Sequence, residues 1–283
     1  MILEDYHTHN KGCHHAFGTI EDYIRKAIEL NLTTIGISDH FPFEYLKNIS
    51  RIPYKEYAFK LEEIDGYIST SEMLRGKYKD KVNVRIAFEI DFFKNQVNAL
   101  NFHLEKVKNH LDYILGSIHI LNFHDGRGAW DFDDDRFRND YRYYGPDRVY
   151  MFYYKNLQRM LKTKKYDFDI VGHFDLPKKF NDLPENKELV MNEVMKSLEL
   201  AKKRDVVIEI NSSGLRRDVK EQYPSEEIIK EMYNLDIPII LGSDAHHPDE
   251  IAYEFNRILK MTTKIGYTQL AHFHNRKRSF IDI

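Results

Sequence analysis

A single cysteine, Cys13, stands among 283 residues. One thiol cannot build a disulfide framework, so the fold must rest on a packed core, and a reducing compartment is implied. No apolar run approaches the ~20 residues that a membrane-spanning helix requires. The opening residues Met1-Ile2-Leu3-Glu4-Asp5 lack the basic and apolar regions of a secretory signal, so the expected location is the cytoplasm. An excess of positive charge is missing as well: 42 Lys and Arg against 45 Asp and Glu give a net charge of −3. A general nucleic-acid binder needs a basic footprint, so neither nucleic acid nor a membrane is expected as a partner. There is one Trp, yet Tyr and Phe number 19 and 18. Those rings read as amphipathic filler between helices and strands.

What is present is an alternation. Short β-branched runs, expected as strands over residues 2–7, 33–38, 82–90, 113–118, 169–172, 206–211 and 238–242, are separated by segments of helical period. Helices are expected from Thr19 to Leu30 and over 54–77, 97–111, 146–161, 185–204, 225–234 and 250–265. Pro42 and Pro53 bracket an irregular loop, and the basic residues 275–278 read as a solvated tail. Residues 121–145 break the rhythm with Gly126, Gly128, Gly145, the lone Trp130 and the acidic run Asp131-Phe132-Asp133-Asp134-Asp135. A loop of that length is functional or disordered, and its aromatics favour order. The seven βα units run from 1 to 283 without a break in composition, which predicts one α/β domain with right-handed crossovers. A closed or nearly closed barrel fits the length, with a doubly wound open sheet as the runner-up.

The polar chemistry gathers at the strand ends: His7 and His9, Asp39 and His40, Glu89, His119, His173, then Asp244 and His246. Only the strand over 206–211 differs, closing on Asn211-Ser212-Ser213-Gly214 with Arg216 and Arg217 beyond. Strand side chains alternate, so His7 and His9 share a face. Barrels of this class build their sites at the C-terminal ends of the strands. Mixed imidazole and carboxylate donors suit zinc, manganese or iron rather than calcium. The donors outnumber what one tetrahedral ion takes, so two or three divalent transition-metal ions use them better, with a carboxylate such as Glu89 able to bridge. Asp39 is either a ligand or the group that orients its neighbour. Cys13, His14 and His15 are all candidate donors. His247 is expected to face solvent, and His103, His110, His124, His272 and His274 to be structural or superficial.

Taken in order, His7-x-His9 with His15, Ser38-Asp39-His40, Glu89, Gly116-Ser117-x-His119, Gly172-His173 and Gly242-Ser243-Asp244-Ala245-His246 resemble the polymerase and histidinol phosphatase (PHP) family. Each short motif is unspecific; the ordered set is specific and spans residues 7 to 246. The resemblance implies a distorted (β/α)7 TIM-like barrel with a trinuclear metal site. It places His7, His9, Glu89 and Asp244 on one metal, Glu89, His119 and His173 on a second, and His15, His40 and His246 on the third. It also selects His15 from the candidates around it. Glu209-Ile210-Asn211-Ser212-Ser213-Gly214-Leu215-Arg216 and Trp130-Asp131-Phe132-Asp133 resemble the branch that removes phosphate from L-histidinol phosphate in L-histidine biosynthesis. One position departs: where the family pattern leads one to expect a phosphate-contacting Arg after Gly172-His173, this chain has Lys178 and Lys179. A lysine holds phosphate as a point charge, without the bidentate fork of arginine.

In that reading hydroxide generated on the metals attacks phosphorus in line, and the metals and Arg216 neutralise the phosphoryl oxygens. Asp244 doubles as ligand and proton acceptor, and Asp39 or water protonates the leaving oxygen. Arg216 and Lys178 meet the phosphate; Trp130, Asp131 and Asp133 meet the amine and imidazole. Three readings compete. A phosphoesterase for a sugar phosphate, nucleotide or phosphotyrosine peptide would share the metal site. An amide or lactone hydrolase on a similar barrel is disfavoured by Arg216 and by the missing carbamylated-lysine position. A non-enzymatic metal-binding module is disfavoured by the complete donor set.

Overall fold

Buried β-branched runs pair side by side when amphipathic helices can cover them, and that rule organises this chain. The structure, a computed structural model, describes residues 3–46, 49, 51 and 55–283; the expected boundary residues Ile2, Pro53 and Tyr54 lie outside the described residues. In chain order the elements are β1 (Glu4–Asp5), α1 (Ile20–Glu29), β2 (Thr34–Ile37), α2 (Ile64–Tyr78), β3 (Asn83–Asp91), α3 (Val97–Leu104), β4 (Tyr113–Ser117), β5 (Ile120–Leu121) and β6 (Trp130–Asp131). They continue with α4 (Arg138–Tyr144), α5 (Pro146–Lys162), β7 (Ile170–Val171), α6 (Lys187–Arg204), β8 (Val207–Asn211), α7 (Glu226–Asn234), β9 (Ile239–Gly242), α8 (Phe255–Ile265), β10 (Gln269–His274) and β11 (Lys277–Asp282). Helix entry follows local chemistry. At α1 the Thr19 hydroxyl accepts from Asp22 N at 3.2 Å while the Asp22 carboxylate accepts from Thr19 N at 2.7 Å, a reciprocal cap.

Among the described residues, seven strands pair in parallel in the order β1-β2-β3-β4-β7-β8-β9. The ring then closes from β9 back to β1: Tyr6 N donates to Leu241 O at 3.0 Å, Asp244 N to His7 O at 2.8 Å and His9 N to Ala245 O at 2.9 Å. The result is a nearly closed barrel with helices between the strands; an open doubly wound sheet would have left β1 and β9 as edges. Alternation along each strand separates two cores. In β8, Ile208 and Ile210 pack outward against the helices, whereas Val207 joins Tyr6, Ala87, Tyr113, Leu115, Ile170 and Ile240 inside the barrel.

Several elements depart from the sequence expectation. The helix expected over 54–77 begins at Ile64 after a single 3₁₀ turn, Leu61–Glu63. The one expected over 97–111 stops at Leu104, and the last helix starts at Phe255. Residues 121–145 are an ordered excursion: β5 and β6 pair antiparallel, Leu121 opposite Trp130, and α4 follows. The largest correction is the tail. Residues 275–278 are the turn and start of a hairpin in which β10 and β11 pair antiparallel. Ala271 and Phe273 enter the inner core from below, so the hairpin plugs the N-terminal end of the barrel. Arg276 is tied to Asp169 Oδ2 at 2.6 Å and Asp167 Oδ1 at 2.9 Å. No helix of the described residues is long and apolar enough to cross a membrane.

Candidate active site

At the opposite end, the strand termini bring imidazoles and carboxylates onto one floor. His7 Nε2 and His9 Nε2 lie 3.0 Å apart. Glu89 Oε2 is 3.4 Å from the first and 3.5 Å from the second; Asp244 Oδ1 is 3.8 and 3.3 Å away. The other Glu89 oxygen, Oε1, is 2.9 Å from His173 Nε2 and 3.7 Å from His119 Nε2, and those two nitrogens are 3.1 Å apart. Glu89 therefore turns one oxygen to each donor group. Around His9, the rings of His40 and His246 stack with centroids at 4.4 and 4.5 Å. His15 completes that group, 5.3 Å from His40 and 5.0 Å from His246. Two other donor sets are equally compact: His9 with Cys13 and Asp39, and His40 with Asp91 and His119.

Local backbone and hydrogen bonds aim these groups. His173 and Asp244 adopt positive φ, 22° and 52°, a costly state for residues with a Cβ. The turn at Asp244 is secured by its N–H on His7 O at 2.8 Å, and the one at His173 by its N–H on Glu209 Oε2 at 2.8 Å. Four of the rings are anchored through Nδ1: His7 by Glu209 Oε1 at 2.7 Å, His119 by Asp91 Oδ2 at 3.0 Å, His15 by Cys13 O at 2.9 Å and His246 by Asp244 O at 3.0 Å. Anchoring of this kind orients metal-binding imidazoles.

Imidazoles and carboxylates shift one another strongly on this floor. Burial opposes charge on His7, but Glu209, Glu89 and Asp244 outweigh it and hold its pKa well above the ordinary range. Burial likewise opposes charge on His9, which Asp244 and Asp39 carry up to about 9. On His119, Asp91 and Glu89 overcome burial to the same effect. Burial and the neighbouring imidazoles push His40 and His246 well below it. Burial would raise Glu89 and Asp244, yet the facing imidazoles hold both carboxyls far down. The buried Nδ1 atoms of His9, His40 and His173 have no hydrogen-bond partner among the described residues. Four donors ~2.1 Å from a tetrahedral ion stand ~3.4 Å apart, and the His7, His9, Glu89 and Asp244 atoms span that separation. The donor set fits divalent metal ions.

A cavity of about 870 Å³ opens above this floor. Lys179 and Arg217 stand on its wall, as do Asp131, Asp133, Asp134 and Glu56. Lys179 Nζ donates to Asp133 Oδ2 at 2.8 Å. Burial works against ionising Asp133, but Lys179 holds its carboxyl far below the usual range. Burial and the Asp133 charge push Asp131 far up instead.

The structure brings together His7, His9, His15, His40, Glu89, His119, His173, Asp244 and His246, with Asp131 and Asp133 on the cavity wall. Four expected residues sit elsewhere. Trp130 is fully buried beside Tyr144 and Phe123, facing away from Asp131, its neighbour in β6. Lys178 is buried and ion-paired to Asp175 at 2.9 Å and Glu221 at 2.7 Å; Lys179 takes the cavity position. Arg216 donates to the carbonyls of Ser243 at 2.9 Å and Asp244 at 3.1 Å and lies 3.3 Å from Glu250, so it braces the Asp244 loop while Arg217 faces the cavity. Asp39 is fully buried off the cavity, 3.7 Å from His9 Nδ1, and accepts from Asn10 N at 3.1 Å. Sequence reasoning named Lys178 and Lys179 together but chose Lys178, and it gave no role to Arg217, Ser213, Tyr223, Asp91 or Glu209. For the last two a signal existed: Glu89-Ile90-Asp91 repeats the spacing of His7-Thr8-His9, and Glu209 interrupts an apolar strand.

Barrel and floor together define a class. A profile of the PHP domain matches residues 5–213, and the chain belongs to that family. The matched span ends before Asp244 and His246. A protein of Deinococcus radiodurans named "Probable histidinol-phosphatase" is 28% identical over 276 residues, covering 97% of this chain and 98% of its own. The crystal structure of a Listeria monocytogenes protein assigned as a histidinol phosphatase matches with a TM-score of 0.83 at 24% identity, over 90% of this chain and 99% of that one. Histidinol phosphate phosphatase of Lactococcus lactis, solved with zinc, L-histidinol and phosphate, matches with a TM-score of 0.78 at 17% identity, over 98% of both chains. Both structures share this fold.

Proposed function

We propose that this chain is a metal-dependent phosphomonoesterase that hydrolyses L-histidinol phosphate to L-histidinol and phosphate in L-histidine biosynthesis. It acts as one unit over residues 1–283, in the cytoplasm. The observation that carries this reading is Glu89, with one oxygen 3.5 Å or less from His7 and His9 and the other 2.9 Å from His173, on the floor of a cavity with cationic and anionic walls. The relatives named above support the substrate. In this reading His7, His9, Glu89 and Asp244 hold one ion, Glu89, His119 and His173 a second, and His15, His40 and His246 a third. Two or three ions are bound, zinc as in the Lactococcus protein, or manganese or iron. Divalent ions held there supply an acidified water and neutralise phosphoryl charge.

The chain does the rest. Lys179 and Arg217 draw in the phosphate dianion, and the Tyr223 hydroxyl is free to donate to it. Ser213 Oγ, 3.1 Å from Asp244 Oδ2, keeps that carboxylate turned so that Oδ1 meets His9. Glu56 and the Asp131–Asp133 pair face the cationic amine. Asp39, walled off behind His9, serves that ring, and the proton for the leaving oxygen comes from water.

Metal content of the purified protein and phosphate release from L-histidinol phosphate, sugar phosphates, nucleotides and a phosphotyrosine peptide test the proposal together. The expected result is two or three ions per chain, loss of activity with a chelator, recovery on metal addition, and a kcat/KM for L-histidinol phosphate at least ~100-fold above the other esters. Equal rates on all esters, or full activity without metal, would overturn it.

A further inference from the structure

Glu209 lies in β8 between Ile208 and Ile210, with no solvent exposure. A carboxylate buried among apolar side chains is tolerated only when its oxygens are engaged. Both are. Oε1 is 2.7 Å from His7 Nδ1. Oε2 accepts the backbone N–H of His173 at 2.8 Å and Asn211 Nδ2 at 3.0 Å. One side chain thus reaches an imidazole after β1 and the peptide after β7, that is, a member of each donor group on the two sides of Glu89. Space has been left for it: a Cβ at Gly242 would fall 1.9 Å from Glu209 Oε1 and 2.8 Å from its Cδ. Glu209 is not on the cavity wall.

We propose that Glu209 is a positioning residue that fixes the tautomer of His7 and the peptide of His173, so that both donor groups of the floor face one another correctly. A carboxylate can only accept, so His7 Nδ1 carries the proton and Nε2 keeps its lone pair toward Glu89 and Asp244. The second oxygen stabilises the positive-φ turn that delivers His173. Glutamine has the same shape and half the acceptors. With its oxygen toward His7, its NH2 meets the His173 N–H and the Asn211 NH2, donor against donor. Reversed, its NH2 faces Nδ1, which must then accept, and the proton moves to Nε2, the atom that should bind metal. Either placement spoils one side.

This inference rests on the metal-site reading above, so zinc affinity of the wild-type chain is measured first, by competition with a chromogenic chelator, and then that of Glu209→Gln and Gly242→Ala. Glu209→Gln is expected to keep the wild-type circular dichroism spectrum while binding at least one zinc about 10- to 100-fold more weakly. Gly242→Ala, whose Cβ would fall 1.9 Å from Glu209 Oε1 and 2.8 Å from His7 Cβ, displaces the carboxylate and its imidazole partner together and is expected to weaken zinc in the same direction. In histidine-¹⁵N-labelled wild-type protein loaded with zinc, His7 is expected to show a protonated, hydrogen-bonded Nδ1. A wild-type chain that binds no zinc overturns the underlying reading and this inference with it. A wild-type chain that binds zinc, with Glu209→Gln binding equally tightly or with His7 protonated on Nε2, overturns the role of Glu209 alone.

Discussion

Tyr223 is fully buried, borders the cavity, and its hydroxyl has no hydrogen-bond partner among the described residues. Deleting a hydroxyl that the protein does not satisfy is nearly neutral for stability, whereas one that meets substrate is missed during turnover. Tyr223→Phe is therefore expected to leave Tm within about 2 °C of wild type and to raise KM for L-histidinol phosphate several-fold; the reverse pattern would make the hydroxyl structural. The two arginines nearby separate in the same way. Arg217→Met removes a charge-assisted contact to phosphate and should raise KM roughly 10- to 100-fold, while Arg216→Met, by releasing the Ser243 and Asp244 carbonyls, should lower kcat and Tm more than it raises KM. His9→Ala should abolish turnover with the fold intact. Steady-state kinetics beside thermal melts distinguish these outcomes. The donors were legible because they follow strands, where period two fixes which way a side chain points. Lys178 for Lys179 and Arg216 for Arg217 were misread because both pairs straddle the end of a single 3₁₀ turn, Leu176–Lys178 and Ser213–Arg216. Three residues per turn there swing neighbours roughly 120° apart, and nothing local says which one meets the cavity.

Among the elements, the β10–β11 hairpin contributes nothing to the floor yet closes the barrel beneath it. Phe273 is 3% exposed and packs in the inner core with Tyr113. Phe273→Ala should cost about 3–5 kcal/mol in urea denaturation and leave zinc affinity at low temperature unchanged, because the cavity lies at the other end of the strands. Lost affinity would mean that the two ends are coupled. The hairpin was hidden by its charges. Lys277 and Arg278 read as a solvated tail, but Asn275 and Arg276, with φ of 49° and 60°, form a tight two-residue turn of the kind that joins antiparallel strands. The alternation on its two sides was the available signal. Trp130 teaches the converse: the lone Trp drew attention as a binding residue, but in β6 only every second side chain can face the cavity, and that one is Asp131.

For the whole molecule, the βα alternation was readable because each unit is local, whereas closure of the barrel was expected only from the chain length and the family resemblance, because the hydrogen bonds that make it join residues near 7 and near 245 and leave no local signal. On the proposed reading of the floor, stability depends on metal. An ion present at ~1,000 times its Kd adds about 4 kcal/mol to a folded state that alone binds it, which for a chain of this size is a Tm rise of about 10 °C. Stripping the ions with a chelator should lower Tm by that order and zinc should restore it; an unchanged Tm would speak against occupied sites. The seam between β1 and β9 also has a meaning for the chain as it is being made. His7 and His9 emerge from the ribosome early, whereas Asp244 and His246 are among the last 40 of 283 residues. Until they are made, the group around His7 and His9 lacks the Asp244 carboxylate and the group around His15 and His40 lacks His246, so the floor is complete only once the last βα unit has joined the ring.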